Sequence, residues 1–308
     1  MHKKNFIVSS FYKFVHLSDV DEKIIFLKRK LNKFNIKGTF ILGVEGINGS
    51  FSVKSNEFKN ICELLDKTIG PNINYKTQNT DHHSFLRLKF KLKKEIVTMG
   101  EENIDPKKKS GKYLNPDSWD NLINMKDSLI IDTRNSYESE VGTFKNSLKT
   151  KTKNFRDFPN WIKKNKRMLR NKKIGVFCTG GVRCEKASSY MINLGLTDVY
   201  QLHGGIIEYL NKTKNKNKLW KGECFVFDER VTLNENLEKG SYSQCFACRS
   251  AITKEEMKSS FYESGVSCPK CFKVKSEVQR NRYKERQRQM KIAKKKKLST
   301  LVLNRHLI

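Results

Sequence analysis

Residues 173–191 read KIGVFCTGGVRCEKASSYM, and this stretch decides the fold. An apolar run of strand length ends just before Cys178, a glycine pair follows at Gly180 and Gly181, and helix-forming residues begin near Cys184. Strand, glycine loop and helix in that order are the repeating unit of a parallel α/β sheet, which binds ligands at the carboxyl ends of its strands. Cys178 stands at that edge. The loop from Thr179 through Gly180, Gly181 and Val182 to Arg183 can turn several backbone N–H groups inward, and the start of the helix adds the positive end of its dipole. A thiolate or persulfide on Cys178 would lie in an anion cradle, with Arg183 adding charge. Such surroundings lower a thiol pKa and make the sulfur nucleophilic.

The pattern extends on both sides. Helical NPDSWDNLINMKD, strand SLIIDTR, helical FPNWIKKNKRMLRN, strand KIGVF, helical CEKASSYMINLG, strand VYQL and the turn HGG follow one another from residue 115 to 205. The alternation predicts a parallel sheet covered on both faces, in a domain of residues 124–218. Residues 1–100 read differently: strand FIVSSFYKF, helical DVDEKIIFLKRKLNKF, two strands around a Gly-rich turn in GTFILGVEGINGSFSV, helical SNEFKNICELLDKTIG and the alternating strand SFLRLKFKLKKEIV. This β-α-β-β-α-β order is ferredoxin-like, as in acylphosphatase-like domains. Residues 101–123, which include EENIDPKKKSGKY, are a linker and the helix leading into the sheet.

Two C-x-x-C knuckles, Cys245 with Cys248 and Cys268 with Cys271, are separated by nineteen residues within a region of residues 219–275. That spacing suits a four-cysteine structural zinc site, which would stabilise a segment with few core residues. Cys62 and Cys224 have no near partners and read as core residues. Cys184, six positions after Cys178, reads either as a resolving thiol for Cys178 or as a buried helix residue beneath the loop. The expected fold class is α/β: a central parallel-sheet domain, preceded by the ferredoxin-like α+β domain and followed by a small Cys-rich, basic C-terminal region.

The chain has 308 residues and a formal charge of +30, which fits several domains and a polyanionic partner. Lys and Asn are spread throughout, as in NKTKNKNK, so the total alone does not separate RNA binding from compositional drift. In the tail, residues 276–308, the charge is concentrated. The run SEVQRNRYKERQRQMKIAKKKK offers Arg280, Arg282, Arg286, Arg288, Lys294 and Lys297 for phosphate contacts along a helix. No run of eighteen apolar residues and no signal-peptide pattern is present, so the expected location is the cytoplasm, with no membrane partner. There is no G-x-G-x-x-G motif for a flavin or nicotinamide, and the six histidines form no evident iron-binding pattern.

CTGGVRCEKASSYM, with IIDTRNSYESEVGTF before it and LGLTDVYQLHGGIIEY after it, resembles a rhodanese domain. The resemblance implies that Cys178 is the active-site cysteine, able to carry a persulfide, and that Asp132 and Arg134 buttress its loop. Together with EGINGSFSV and FVFDERV, these motifs resemble the rhodanese-containing tRNA uridine-34 hydroxylase family over most of the chain. That resemblance implies oxygen-dependent conversion of the wobble uridine to 5-hydroxyuridine, with molecular oxygen as co-substrate, an unidentified electron donor and the tRNA anticodon loop as partner. The segment after Gly142, TFKNSLKTKTKNF, departs from the pattern in lacking a proline. A rhodanese-type sulfurtransferase would use the same cysteine and remains the alternative. A non-catalytic RNA-binding protein would have no use for an intact Cys178 loop.

Overall fold

The computed structural model describes residues 5–213 and 219–295. They form two compact units divided after Glu238.

The first unit begins with β1 (Phe6–Phe14), α1 (Val20–Leu31), β2 (Lys37–Gly43), β3 (Gly46–Lys54), α2 (Phe58–Ile69), β4 (Lys76–Thr80) and β5 (Leu88–Leu92). The sheet order is β4-β1-β3-β2-β5, antiparallel except that β5 runs parallel to β2. Helices α1 and α2 bury Leu27, Leu31, Ile61 and Leu65 against Phe11, Phe40, Ile47 and Phe51 of the sheet. The ferredoxin-like arrangement is therefore present, with one change of strand. The run SFLRLKFKLKKEIV was expected to close the unit, but KTQNT does so as β4, paired with β1, and LKFKL is an added fifth strand. KTQNT carries no apolar alternation because it is an edge strand whose Lys76 and Gln78 face a cavity rather than the core.

The central layer contains β6 (Lys112–Leu114), α3 (Pro116–Asn124), β7 (Ser128–Asp132), α4 (Ser136–Ser139), β8 (Gly142–Phe144), β9 (Ser147–Lys149), α5 (Phe158–Leu169), β10 (Lys173–Phe177), α6 (Val182–Asn193), β11 (Val199–Leu202) and α7 (Gly205–Lys212). Five strands in the order β6-β11-β10-β7-β9 are all parallel. One face packs Trp119, Leu122, Ile206 and Leu210 of α3 and α7. The other packs Phe158, Ile162, Ala187 and Met191 of α5 and α6. The parallel sheet with both faces covered is as expected from the alternating pattern. Helix α7 was read only as a turn, and β6, within the expected linker, is the edge strand of the sheet.

The proline-free segment after Gly142 is held by aromatic packing. Phe144 is buried among the edges of Trp119, Phe177, Tyr209 and Trp220, at ring-centroid distances of 4.7 to 5.7 Å. Trp220 comes from β12 (Trp220–Gly222), which pairs with β8; β13 (Cys224–Phe225) then pairs with β14 (Thr232–Leu233). Residues 219–238, expected with the C-terminal region, thus complete the first unit instead. Cys224 is in its core, whereas Cys62 is half-buried on α2.

The second unit holds the hairpin of β15 (Ser243–Gln244) and β16 (Ala251–Ile252), the four knuckle cysteines and α8 (Glu277–Lys295). A reciprocal cap starts α8: the Ser276 hydroxyl accepts from the Gln279 amide, and the Gln279 side chain accepts from the Ser276 amide. Lys294 lies in α8 but its side chain is outside the described residues, as is all of Lys297. Among the described residues, no helix is long and apolar enough to cross a membrane.

Candidate functional site

Cys178 follows the last residue of β10 and is 1% exposed. Its Sγ accepts the Gly181 N–H at 3.1 Å. Gly181 has φ +99°, in the left-handed region, and a Cβ there would come within 2.9 Å of the Tyr12 hydroxyl. Helix α7 closes the loop from the other side, as Ile206 and Ile207 donate their N–H groups to the carbonyls of Cys178 and Thr179. Gly205 makes that approach possible. It has φ +70°, and an added Cβ would lie 2.5 Å from the Cys178 carbonyl oxygen. Gly180 needs no such allowance: a Cβ there would meet nothing within 4 Å, so this glycine leaves the loop open to the adjacent cavity.

Burial opposes ionisation of Cys178. The Cys184 thiol, the Arg183 guanidinium and the Arg183 and Cys184 amides outweigh it and bring the thiol down to about 5. Burial and the neighbouring Cys178 push Cys184 well above the ordinary thiol range. The pair therefore exists as a Cys178 thiolate supported by a Cys184 thiol. The expected consequence is that alkylation of Cys178 by iodoacetamide stays fast down to about pH 5 and fades below it, because the reactive form is the deprotonated one. Rates across pH 4–9, read by peptide mass spectrometry, check this; a midpoint near the ordinary thiol value of about 8.5 would contradict it.

Arg183 does not add free charge to the loop. Its guanidinium is held bidentately by Glu138 at 2.6 and 2.7 Å, so it shapes the loop wall as half of a buried ion pair. At the strand end, the Arg134 Nε and Nη2 donate to Asp132 at 2.9 and 2.6 Å, and Thr143 donates to the same carboxylate at 2.9 Å. The Arg134 guanidinium lies over Phe177 and Trp220.

The N-terminal sheet supplies what the loop lacks. Its helix-free face forms one wall of a cavity of about 500 Å³, which also takes in Cys178, Thr179, Gly180, Val182 and Arg183. The period of two along each strand explains the wall: Val8, Ser10 and Tyr12 of β1, Thr39 and Ile41 of β2, Asn48 and Ser50 of β3, and Lys76 and Gln78 of β4 all point the same way. Phe155 and Phe227 add aromatic surface, and Phe227 is well exposed.

Specific contacts seat this wall on α6. Glu185 accepts from Tyr12 at 2.8 Å, Tyr113 at 2.7 Å and Gln201 at 3.2 Å. Lys186, almost fully buried, pairs with Glu45 and Glu95, both at 2.7 Å. Neither Tyr12, Lys76 nor Glu138 stood out in the sequence. Each is an ordinary polar residue until the fold brings it to Cys178 or Arg183.

In the second unit, the Sγ atoms of Cys245, Cys248, Cys268 and Cys271 all lie within 4.8 Å of one another. Individual separations are 3.9 Å for Cys245–Cys271, 3.7 Å for Cys248–Cys268 and 3.7 Å for Cys268–Cys271. Four thiolates at zinc–sulfur distances of about 2.3 Å in a tetrahedron stand about 3.8 Å apart. The donor set therefore fits a metal ion such as zinc. Of the basic residues on α8, Arg280 stacks on Phe272 and donates to its carbonyl, and Arg286 donates to the carbonyls of Phe246 and Gly265. Those two fasten the helix to the knuckles, while Arg282 and Arg288 are exposed.

Residues 6–96 match the UPF0176 acylphosphatase-like domain, and residues 115–212 match the rhodanese-like domain. This pair in this order is the architecture of the tRNA uridine hydroxylase family, UPF0176. The chain belongs to that family. Among solved structures, it is similar to a rhodanese-like domain from Anabaena sp., at 13% identity over 36% of this chain and 78% of that one, with a TM-score of 0.30. A rhodanese-related protein from Thermoplasma volcanium matches at 22% identity over 34% and 95%, TM-score 0.28. A single-domain sulfurtransferase from Saccharomyces cerevisiae matches at 19% identity over 34% and 92%, TM-score 0.29.

Proposed function

We propose that this protein is a cytoplasmic tRNA-modifying enzyme that hydroxylates C5 of uridine 34 with molecular oxygen, Cys178 acting as the nucleophile. The observation that carries the reading is the cavity: a thiolate at its floor and a polar sheet face as its wall, with room for a pyrimidine nucleoside. In the anticodon loop the base leaves the stack at little cost, and the exposed ring of Phe227 at the cavity is suited to stack on a displaced neighbour. Addition of the Cys178 sulfur to C6 makes C5 electron-rich, which is what attack on oxygen requires. The electrons that reduce the second oxygen atom come from a separate donor.

The hydrogen-bonding side chains of the sheet wall opposite Cys178, such as Asn48, Ser50 and Gln78, suit a base, whereas plain sulfur transfer has no need of them, which favours the hydroxylase reading. The test is nucleoside mass spectrometry of tRNA from a deletion strain. Loss of 5-hydroxyuridine derivatives is expected; loss of thiolated bases with 5-hydroxyuridine intact would overturn the reading in favour of a sulfurtransferase.

RNA affinity is assigned in part to α8. Because Arg280 and Arg286 are engaged within their own unit, the phosphate contacts fall to exposed residues such as Arg282 and Arg288. Replacing both by Gln is expected to weaken all tRNAs alike and to lower the slope of log affinity against log salt by about 1.4 to 1.8, at roughly 0.7–0.9 per phosphate contact. Filter binding across salt concentrations measures this, and an unchanged slope would place the RNA surface elsewhere.

A further inference from the structure

We propose that Lys76 is a catalytic cation of the Cys178 site: its ammonium binds the pyrimidine oxygen on which negative charge collects when the sulfur adds to the ring. The inference rests on the proposed uridine chemistry and assigns one step of it to a residue of the N-terminal sheet.

The charges around Cys178 single out Lys76. Among the described residues lining the cavity, Arg183 is taken by Glu138, and Arg230 by Asp228 at 2.6 and 2.9 Å, with Gln78 accepting a further bond. Lys91 also lines the cavity but is exposed to solvent. Lys76 is 6% exposed, points into the cavity from β4, and has no hydrogen-bond acceptor or ion pair among the described residues. Its one close companion is the Tyr12 ring, 4.8 Å from Nζ, which accepts the charge on one flank and leaves N–H donors over. The charged groups that face it are Cys178, Glu208 of α7 and Glu185 of α6. Glu185 is already bonded to Tyr12, Tyr113 and Gln201, and Glu208 to Lys212. With its stem buried and no protein acceptor for its N–H donors, this ammonium opens on the cavity and is arranged for an acceptor that the ligand brings.

The step balances without any oxidant. A bond forms between the Cys178 sulfur and C6; the C5=C6 π pair moves through C4 to O4, giving an enolate, and Lys76 donates a hydrogen bond to that oxygen. If no oxygen is present, the enolate takes a proton from solvent at C5. Loss of the original C5 proton and expulsion of the sulfur then restore uridine. The only net change is exchange of the C5 hydrogen.

That exchange is the test. The full-length protein is incubated in D2O, with oxygen excluded, with an anticodon stem-loop RNA carrying uridine at the wobble position, and deuterium at C5 is read by nucleoside mass spectrometry. Wild type is expected to exchange, Lys76→Met to exchange about 100-fold or more slowly, and Lys76→Arg to recover much of the loss. Burial, offset in part by Cys178 and the two glutamates, lowers Lys76 to about 8. Wild-type exchange should therefore decline above pH 8, where the ammonium is lost, whereas the Arg variant keeps its charge and stays active. Exchange by Lys76→Met at the wild-type rate overturns the role of Lys76 and leaves the sulfur addition standing. Absence of exchange in wild type overturns the addition step itself, and the role of Lys76 with it. Should the Met variant fail to fold, the wild-type pH profile decides, and undiminished exchange well above pH 8 overturns the proposal.

Discussion

Cys178→Ser is expected to abolish wobble-uridine hydroxylation, by roughly a thousandfold or more, in a protein that still folds. The substitution keeps almost the same volume, and the serine hydroxyl can accept the Gly181 N–H that the sulfur accepts now. What disappears is the anion. The surroundings that bring Cys178 down to about 5 cannot ionise a hydroxyl at neutral pH, so the cavity keeps its shape and loses its nucleophile. Cys184 cannot take over, because burial, the largest influence on it, keeps it a neutral thiol in the core of α6. Thermal unfolding checks the fold and 5-hydroxyuridine formation checks the chemistry. Wild-type modification by a folded Cys178→Ser protein would rule out a catalytic thiol.

The second large effect concerns the four-cysteine cluster. The protein is expected to be purified with about one zinc per chain, and either chelation or Cys268→Ser is expected to unfold residues 239–295 as a unit. The reason lies in what else holds that unit. Apart from the cysteines, its buried cluster contains Ile252, with Ala247, Met257 and Tyr262 only partly buried around it. So small an apolar core does not offset the chain entropy of ordering the segment, whereas a four-thiolate zinc site contributes roughly 10–16 kcal/mol at pH 7. The first unit has its own cores on both faces of the central sheet and between the N-terminal sheet and its helices, and is expected to stay folded. Hydrogen exchange by mass spectrometry, with and without chelator, resolves the two. Elemental analysis finding neither zinc nor iron in chelator-free preparations would count against the site.

Much of the first unit was legible as sequence because its elements announce themselves by period. The run KIGVF followed by CTGGVRC could be placed as a strand edge, loop and helix, and C-x-x-C pairs nineteen residues apart name their chemistry by ligand type. The misreadings fall where period is weak. KTQNT shows no strand period because its side chains meet a cavity and solvent, whereas LKFKL, with stronger alternation, reads as the closing strand. The segment at 219–238 looked like part of the C-terminal region because nothing local ties Trp220 to Phe144, seventy-six residues earlier.

By itself, then, the sequence determined the parallel sheet, the cysteine and glycine loop at its edge and the metal-type cysteine set, since each depends on residues close together in the chain. Only the tertiary structure decided what surrounds Cys178. The glycine loop predicts an anion cradle. It does not say that Arg183 is neutralised by Glu138, nor that Tyr12 and Lys76, more than one hundred residues upstream, face the sulfur. Those facts depend on the helix-free face of one sheet being laid over the loop of another through Glu185 and Lys186. Electrostatics inside a cavity depend on distances between groups remote in sequence, and in low dielectric a few ångströms separate a paired charge from one left for a ligand.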